Sequence, residues 1–367
     1  MRVRRARTLV VLFSEAGPLL QNFMTRQSLP CSGFDFDLVS RATEWTPALQ
    51  FYSLYPGVDP SLIAGRIDLL TSQGFLIAEG TLPARFDLEY ESFWKWDTTA
   101  GLYHFGMKDS PYLNPEQAAA WMEYRATTAP AVPLFTTNES CEVVHELPKP
   151  DLTKGLLGIM SRRRSIRDYL RHPMSVEALR DCLFAGLGIT GFLDTHLPDA
   201  ARLLPLKMTP SGGARNPYEA YVYVNNVMDL APGIYHYSAV DNTLGLLTLT
   251  PPVTPAQLLI GQYWADEAGA VILLVANFER TMWKYPHATA YRVLLIEAGN
   301  VSQNISLAAA DHDLSTTPTA AFSDTAAHAL LQLDWIKQAL VLAVLVGKPK
   351  PDAFETQNFI PNDRAKP

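Results

Sequence analysis

The residues most capable of chemistry fall in three short runs. Arg162-Arg-Arg-Ser-Ile-Arg167 places four arginines and a serine in six positions. In an extended segment Arg163, Ser165 and Arg167 share one side, so two guanidinium forks and a hydroxyl face the same way, a set suited to a phosphate. A solvated edge strand is the alternative that spacing leaves open. Pro210-Ser-Gly-Gly-Ala-Arg215 is the second run. Paired glycines let the backbone reach dihedrals and approach distances that a Cβ would forbid, although a tight turn into the next strand needs the same residues. The third run is Trp283-Lys-Tyr-Pro286. An ammonium beside a phenol favours the phenolate, and either Lys284 or Tyr285 can then move a proton. An exposed pair with no such task is the competing reading.

Other suggestive patterns carry less. Gly186-Leu-Gly188-Ile-Thr-Gly191 spells G-x-G-x-x-G, but it ends a helical pattern instead of linking a strand to a helix, and no acid follows at the required distance. It reads as a helix stop and turn. His312 and His236 lack metal-ligand spacing, and Cys31, Cys141 and Cys182 lie far apart with no Cys-x-x-Cys. No metal site and no disulfide framework is expected, which points to a reduced, cytoplasmic protein.

The elements that position these runs follow from periodicity and caps. Segments 35–43 and 60–73 have helical spacing (Leu62, Ile63, Ile67, Leu70), and a strand begins after Gly74, so residues 1–110 read as a winged-helix-like α+β module. The start, MRVRRARTLVVLF, reads as one strand and not as a signal peptide. Phe93 to Trp96 and Leu102 to Phe105 are aromatic and alternating, which suggests sheet or packing against the next domain. Residues 111–150 read as a helix and a proline-rich linker, with Pro130, Pro133, Pro148 and Pro150. From 151 to 350 helices and strands alternate. Ser175 caps a helix bearing Leu179, Leu183 and Leu187, strands are expected at 220–224, 271–275 and 340–346, and a further helix at 324–333. The clearest helix covers 291–311, apolar over much of its circumference. Residues 351–367 read as a tail.

Composition narrows the partners. The 367 residues carry 37 acidic against 30 basic side chains, a net charge of -7, with 48% hydrophobic residues. That is globular, and it disfavours nucleic acid, which needs a surplus of clustered cations. No apolar run reaches the ~18 residues of a membrane span.

The order of the motifs is itself informative: Arg163 to Arg167, then the Ser211-Gly212-Gly213 turn with Pro217-Tyr-Glu-Ala-Tyr221, Pro232-Gly-Ile-Tyr-His-Tyr237, Lys284-Tyr285, and Tyr291-Arg-x-x-Leu-x-x-Glu-Ala-Gly-Asn-Val-x-Gln-Asn304. This resembles the FMN-dependent nitroreductase superfamily and, within it, the SagB-type azoline dehydrogenases, over about residues 155–350. The front part, with Trp94-x-Trp96 and Tyr103-His104, is similar more loosely. The resemblance implies an α+β, nitroreductase-like fold, a central mainly antiparallel sheet wrapped by helices, preceded by the smaller winged-helix-like domain. It also implies a homodimer with FMN at the subunit interface.

By the same resemblance Arg163, Arg164, Ser165 and Arg167, with Lys348, would hold the phosphate and ribityl chain. Ser211, Gly212 and Gly213 would lie along the isoalloxazine, and Glu297, Ala298 and Gly299 would approach its reactive edge. Lys284 and Tyr285 would be the catalytic pair, with Pro286-His287 standing where relatives usually carry a glycine. The implied reaction is oxidation of a peptide-derived or carrier-bound thiazoline or oxazoline to the azole, beside a cyclodehydratase or peptide synthetase partner. An NAD(P)H-dependent nitroreductase and a peptide-binding scaffold without its own chemistry are the alternatives.

Overall fold

The computed structural model describes residues 1–128, 148, 151–196 and 202–353. Most of the proline-rich linker and of the expected tail lies outside these residues, as does Cys141. The described chain forms two units. The first gathers Met1–Lys108, Thr281–Val293 and Asp334–Lys337, so it is discontinuous in sequence. The second gathers the described residues of Asp109–Arg280, Leu294–Leu333 and those from Gln338 onward.

The first unit opens with β1 (Arg2–Arg5), β2 (Leu9–Ser14), β3 (Gly17–Asn22) and β4 (Gln27–Pro30). What the sequence suggested as one strand is therefore two, in different sheets: β2, β3 and β4 form an antiparallel meander, while β1 joins a second sheet. Next come α1 (Gly33–Arg41), β5 (Thr46–Pro47), α2 (Ala48–Leu54), α3 (Pro60–Ser72) and β6 (Leu76–Ala78). The second sheet has the order β5-β1-β6. Helix α1 starts at a capping box in which Ser32 and Asp35 satisfy each other's backbone amides, and α3 starts at Asp59 with Pro60 following. Ile63, Ile67 and Leu70 lie on one face of α3 and are buried. Each such side chain contributes roughly 1.5–3 kcal/mol of burial free energy.

Helices α4 (Leu82–Phe93) and α5 (Thr98–Met107) complete the contiguous part of this unit. Here the expectation of sheet fails. Phe93 ends α4, and Leu102 to Phe105 lie within α5, because Thr81 and Asp97 cap these helices through their side chains.

The second unit contains α6 (Pro115–Thr128), α7 (Gly155–Arg162), α8 (Val176–Leu187), β7 (Ile189–Asp194), β8 (Leu203–Lys207), β9 (Tyr218–Val224), β10 (Gly233–Ser238), β11 (Thr243–Thr248), α9 (Pro255–Leu258) and β12 (Ala270–Asn277). Then follow α10 (Phe278–Met282), α11 (Thr289–Asp311), β13 (Ser315–Thr319), α12 (Asp324–Leu331) and β14 (Gln338–Gly347). The six-stranded sheet runs β11-β10-β9-β12-β14-β13, with every neighbouring pair antiparallel. This is the mainly antiparallel sheet that the family resemblance implied. Its centre, β12, is buried almost throughout, as expected of an uninterrupted apolar run covered on both faces.

The G-x-G-x-x-G run behaves as a helix stop. Gly188 caps α8, and a Cβ on Gly186 would come within 2.8 Å of the Ile305 side chain and 3.2 Å of Val301. Glycine there permits α8 and α11 to pack closely.

Candidate active site

The arginine run leaves α7 in extended form. Ser165 makes a parallel bridge to Thr316, Thr317 donates to the Ile166 carbonyl (2.6 Å), and the Leu170 amide donates to the Lys348 carbonyl (2.8 Å). Strand β13 pairs with the end of β14, so the fold brings Arg163 to Arg167 beside Lys348 although 180 residues separate them in sequence. The alternation expected of an extended run sorts the guanidinium groups. Arg164 donates to the carbonyls of Ser161 and Arg163, both at 2.8 Å, closing the end of α7. Arg162 and Arg164 line a cavity of about 550 Å³ together with Asp313, Ser315 and Pro349. Arg167 is exposed, and Arg163 has no carboxylate partner among the described residues.

The Ser-Gly-Gly run forms a tight turn directly ahead of β9, with Gly213 at φ 62° and Ala214 at φ 54°. Its serine is engaged twice. Ser211 Oγ donates to Glu297 Oε2 at 2.9 Å and accepts from the Asn216 amide at 2.8 Å, while the Gly212 amide donates to the same carboxylate oxygen at 3.3 Å. Glu297 is buried on α11. Burial pushes its carboxyl above the usual range, against the opposing effects of the Ser211 and Gly212 bonds and of the Lys207 charge. The structure thus joins two of the expected groups, the turn and the Glu297-Ala298-Gly299 run. Ala298 is buried with Glu297, whereas Gly299 is exposed and a Cβ there would meet no protein atom within 4 Å.

Lys284 and Tyr285 belong to the first unit and follow α10. Lys284 Nζ lies 5.5 Å from the Tyr285 ring centroid, facing the ring, and the pair forms no mutual hydrogen bond. Sequence reasoning had no means of seeing what holds this segment. Trp96 Nε1 donates to the Tyr285 carbonyl (2.9 Å), and the Tyr285 amide donates to Thr281 (2.9 Å). A few residues on, Tyr291 Oη is 2.9 Å from His104 Nδ1, and its ring meets Trp96 edge-on at 5.4 Å. The Trp94-x-Trp96 and Tyr103-His104 pairs were visible in sequence; their task was not, because about 190 residues separate Trp96 from its acceptor.

A second charged group was missed. Arg280 Nη2 pairs with Glu219, Arg280 Nη1 donates to the Asn216 carbonyl (3.0 Å), and His236 Nε2 is 3.2 Å from Glu219. His312 is likewise paired, 2.8 Å from Asp181. Both histidines are satisfied, and no group of three or more metal-ligating side chains occurs among the described residues. No helix among the described residues is long and apolar enough to cross a membrane.

The family model for the nitroreductase family matches residues 160–348, just over half of the chain, from the end of α7 to the residue after β14. A Methanocaldococcus jannaschii protein assigned by name to the nitroreductases (MJ1384) is 29% identical over 210 residues, 55% of this chain and 96% of its own. The trifolitoxin-processing protein TfxB of Rhizobium leguminosarum bv. trifolii is 28% identical over 147 residues, 39% of this chain and 39% of that protein. Among solved structures, the E. coli microcin synthetase McbBCD complex with truncated pro-MccB17 bound is 16% identical, with 73% of this chain and 92% of that chain covered at a TM-score of 0.42. The arginine run, the Ser-Gly-Gly turn and the helix that carries Glu297 all lie inside the matched region, and the chain belongs to the nitroreductase family.

Proposed function

We propose that this flavin-dependent oxidoreductase is a SagB-type dehydrogenase that binds FMN and oxidises a peptide-derived or carrier-bound azoline to the azole. The observation that carries the reading is the Lys284–Tyr285 pair on a backbone fixed by Trp96, in a chain whose family uses flavin. By the resemblance, simple nitroreductases lack both this pair and a front domain of this size. The likeness to a protein named for processing trifolitoxin agrees with a natural-product substrate.

The residues present fit FMN. Arg163 and Arg167 retain guanidinium groups for a phosphate, with Ser165 and Lys348 adjacent in the fold. The turn at Gly212 and Gly213 offers backbone without side chains, and the space beside Gly299 is open. Bound there, FMN would supply a two-electron, hydride-accepting centre. The chain's own contribution is to hold the cofactor and to move a proton. Lys284 and Tyr285 take the acidic α-proton of the azoline ring, and Trp96 keeps their backbone in place while this occurs. Oxidation removes one hydride and one proton, so the ring gains a double bond and loses two hydrogens; dioxygen is the acceptor that regenerates the oxidised cofactor.

Association as a homodimer belongs to the same proposal. Helix α11 exposes Ile296, and α7 exposes Leu156, Leu157 and Met160, more apolar surface than scattered residues require. Residues 1–110 serve as a peptide-positioning module, and a cyclodehydratase or peptide synthetase supplies the azoline. The test is incubation of the FMN-loaded protein with an azoline peptide, read by mass spectrometry. Loss of two hydrogens is expected in the wild type, with suppression in Lys284→Ala and Tyr285→Phe while FMN stays bound. Full activity in both variants, or NAD(P)H-driven reduction of nitroarenes without azoline oxidation, refutes it.

A further inference from the structure

Away from the arginine run, the second unit holds a polar cavity of about 490 Å³ behind the Ser-Gly-Gly turn. That volume lies within the range of small-molecule sites, ~300–1,000 Å³. Its charged lining comes from Lys207 at the end of β8, Glu219 on β9, His236 on β10 and Arg280 on α10. Its apolar lining comes from Ile189 on β7, Leu203 and Leu204 on β8, and Val240.

The bonding within the cavity leaves one cation over. Glu219 is clamped by Arg280 and His236; Arg280 also serves the Asn216 carbonyl; Arg215 donates through Nε to the Arg280 carbonyl (3.0 Å). Asn216 spends its side-chain amide on the carbonyls of Ala214 and Pro205. The side chain of Lys207, half-buried, has no hydrogen bond or ion pair among the described residues. Burial lowers its pKa, more than the nearby charges of Glu219 and Glu297 raise it, and Arg280 adds to the lowering. A half-buried ammonium with three free donors and no acceptor is a costly arrangement unless something else satisfies it.

We propose that this cavity binds an amphipathic monoanion, a carboxylate held by Lys207 with its apolar body against Ile189, Leu203, Leu204 and Val240. One unpaired cation matches one negative charge, while a phosphate dianion would need the guanidinium forks that are already spent internally. Neither the flavin nor the azoline reaction is needed for this pocket, so its test is independent of them.

The test uses the full chain and limited acetylation by acetic anhydride, with lysine occupancy read by mass spectrometry. Probes are hexanoate, its neutral counterpart hexanamide, and inorganic phosphate, at constant ionic strength. Hexanoate should slow acetylation of Lys207 severalfold and leave the exposed Lys154 unchanged; hexanamide and phosphate should not protect Lys207. Absence of protection by hexanoate, equal protection at Lys154, or equal protection by hexanamide or phosphate overturns the proposal. Should Lys207 resist acetylation, thermal midpoints decide: hexanoate should raise that of the wild type and not that of Lys207→Met, and an equal rise or no rise in both refutes the site.

Discussion

Replacing Ser211 by alanine probes the junction between the glycine turn and α11. The substitution removes a hydrogen bond to a buried carboxylate, worth ~1.5–3 kcal/mol, and strips the buried Asn216 amide of its acceptor, a further ~1 kcal/mol. A loss of about 3 kcal/mol in the stability of the second unit is expected, measured by urea unfolding followed by fluorescence. Glu297→Gln keeps an acceptor for Ser211 while removing the charge, so the double variant should depart from additivity by the charge-assisted part of the bond alone, about 1 kcal/mol.

The pH dependence carries a sign of its own. Glu297 is raised in the folded state, so folding takes up a proton between the unfolded and folded values; stability from this group falls as pH rises through that window and levels off above it. Ser211→Ala removes the strongest of the bonds that oppose the rise, which should widen the window, and Glu297→Gln should abolish it. Additivity within about 0.5 kcal/mol, or a pH profile unchanged in Glu297→Gln, would refute the linkage.

Three further outcomes are expected. Arg163→Ala and Arg167→Ala should each lower FMN affinity roughly ten- to a hundredfold in equilibrium titration, the equivalent of ~1.5–3 kcal/mol, while Lys154→Ala, at an exposed side chain paired with Asp151, should not. In the first unit, Arg66→Ala should cost about 3 kcal/mol by leaving the buried Asp35 unpaired, the lower end of the range because Arg66 is itself 30% exposed. Burial pushes Asp35 up, yet the bonds from Arg66 and Ser32 outweigh it and hold its pKa below the usual value; their stabilisation is present above the ordinary carboxylate pKa and is lost as pH falls through the depressed one, a trend that thermal melts of Arg66→Ala should lack. Ile296→Asp on α11 should shift sedimentation from dimer to monomer and loosen FMN together; a variant that stays dimeric would argue against α11 as the interface.

Local features of the fold were legible. The Ser175 cap, the period of Ile63, Ile67 and Leu70, and the apolar run of β12 each state their element within a few residues, as capping and periodicity require. The alternating aromatic run after Phe93 misled because two helix ends meet there; Thr81 and Asp97, both good N-caps, were the signals that could have corrected it. In the candidate site, the extended form of the arginine run and the turn at the paired glycines were readable because each is set by neighbours in sequence. The bond from Ser211 to Glu297, the Trp96 clamp on Tyr285 and the Glu219–Arg280 pair join positions tens to hundreds of residues apart, and one sequence carries no record of such pairings.

The central claim is that substrate oxidation, with a proton moved by Lys284 and Tyr285, is the chemistry of this chain. Its most direct test is anaerobic mixing of the FMN-loaded protein with an azoline peptide while flavin absorbance is followed. The account predicts bleaching in proportion to azole formed, slowed strongly in Lys284→Ala and Tyr285→Phe, and colour returning on admission of air. A flavin that NAD(P)H bleaches and the azoline leaves unchanged would contradict it.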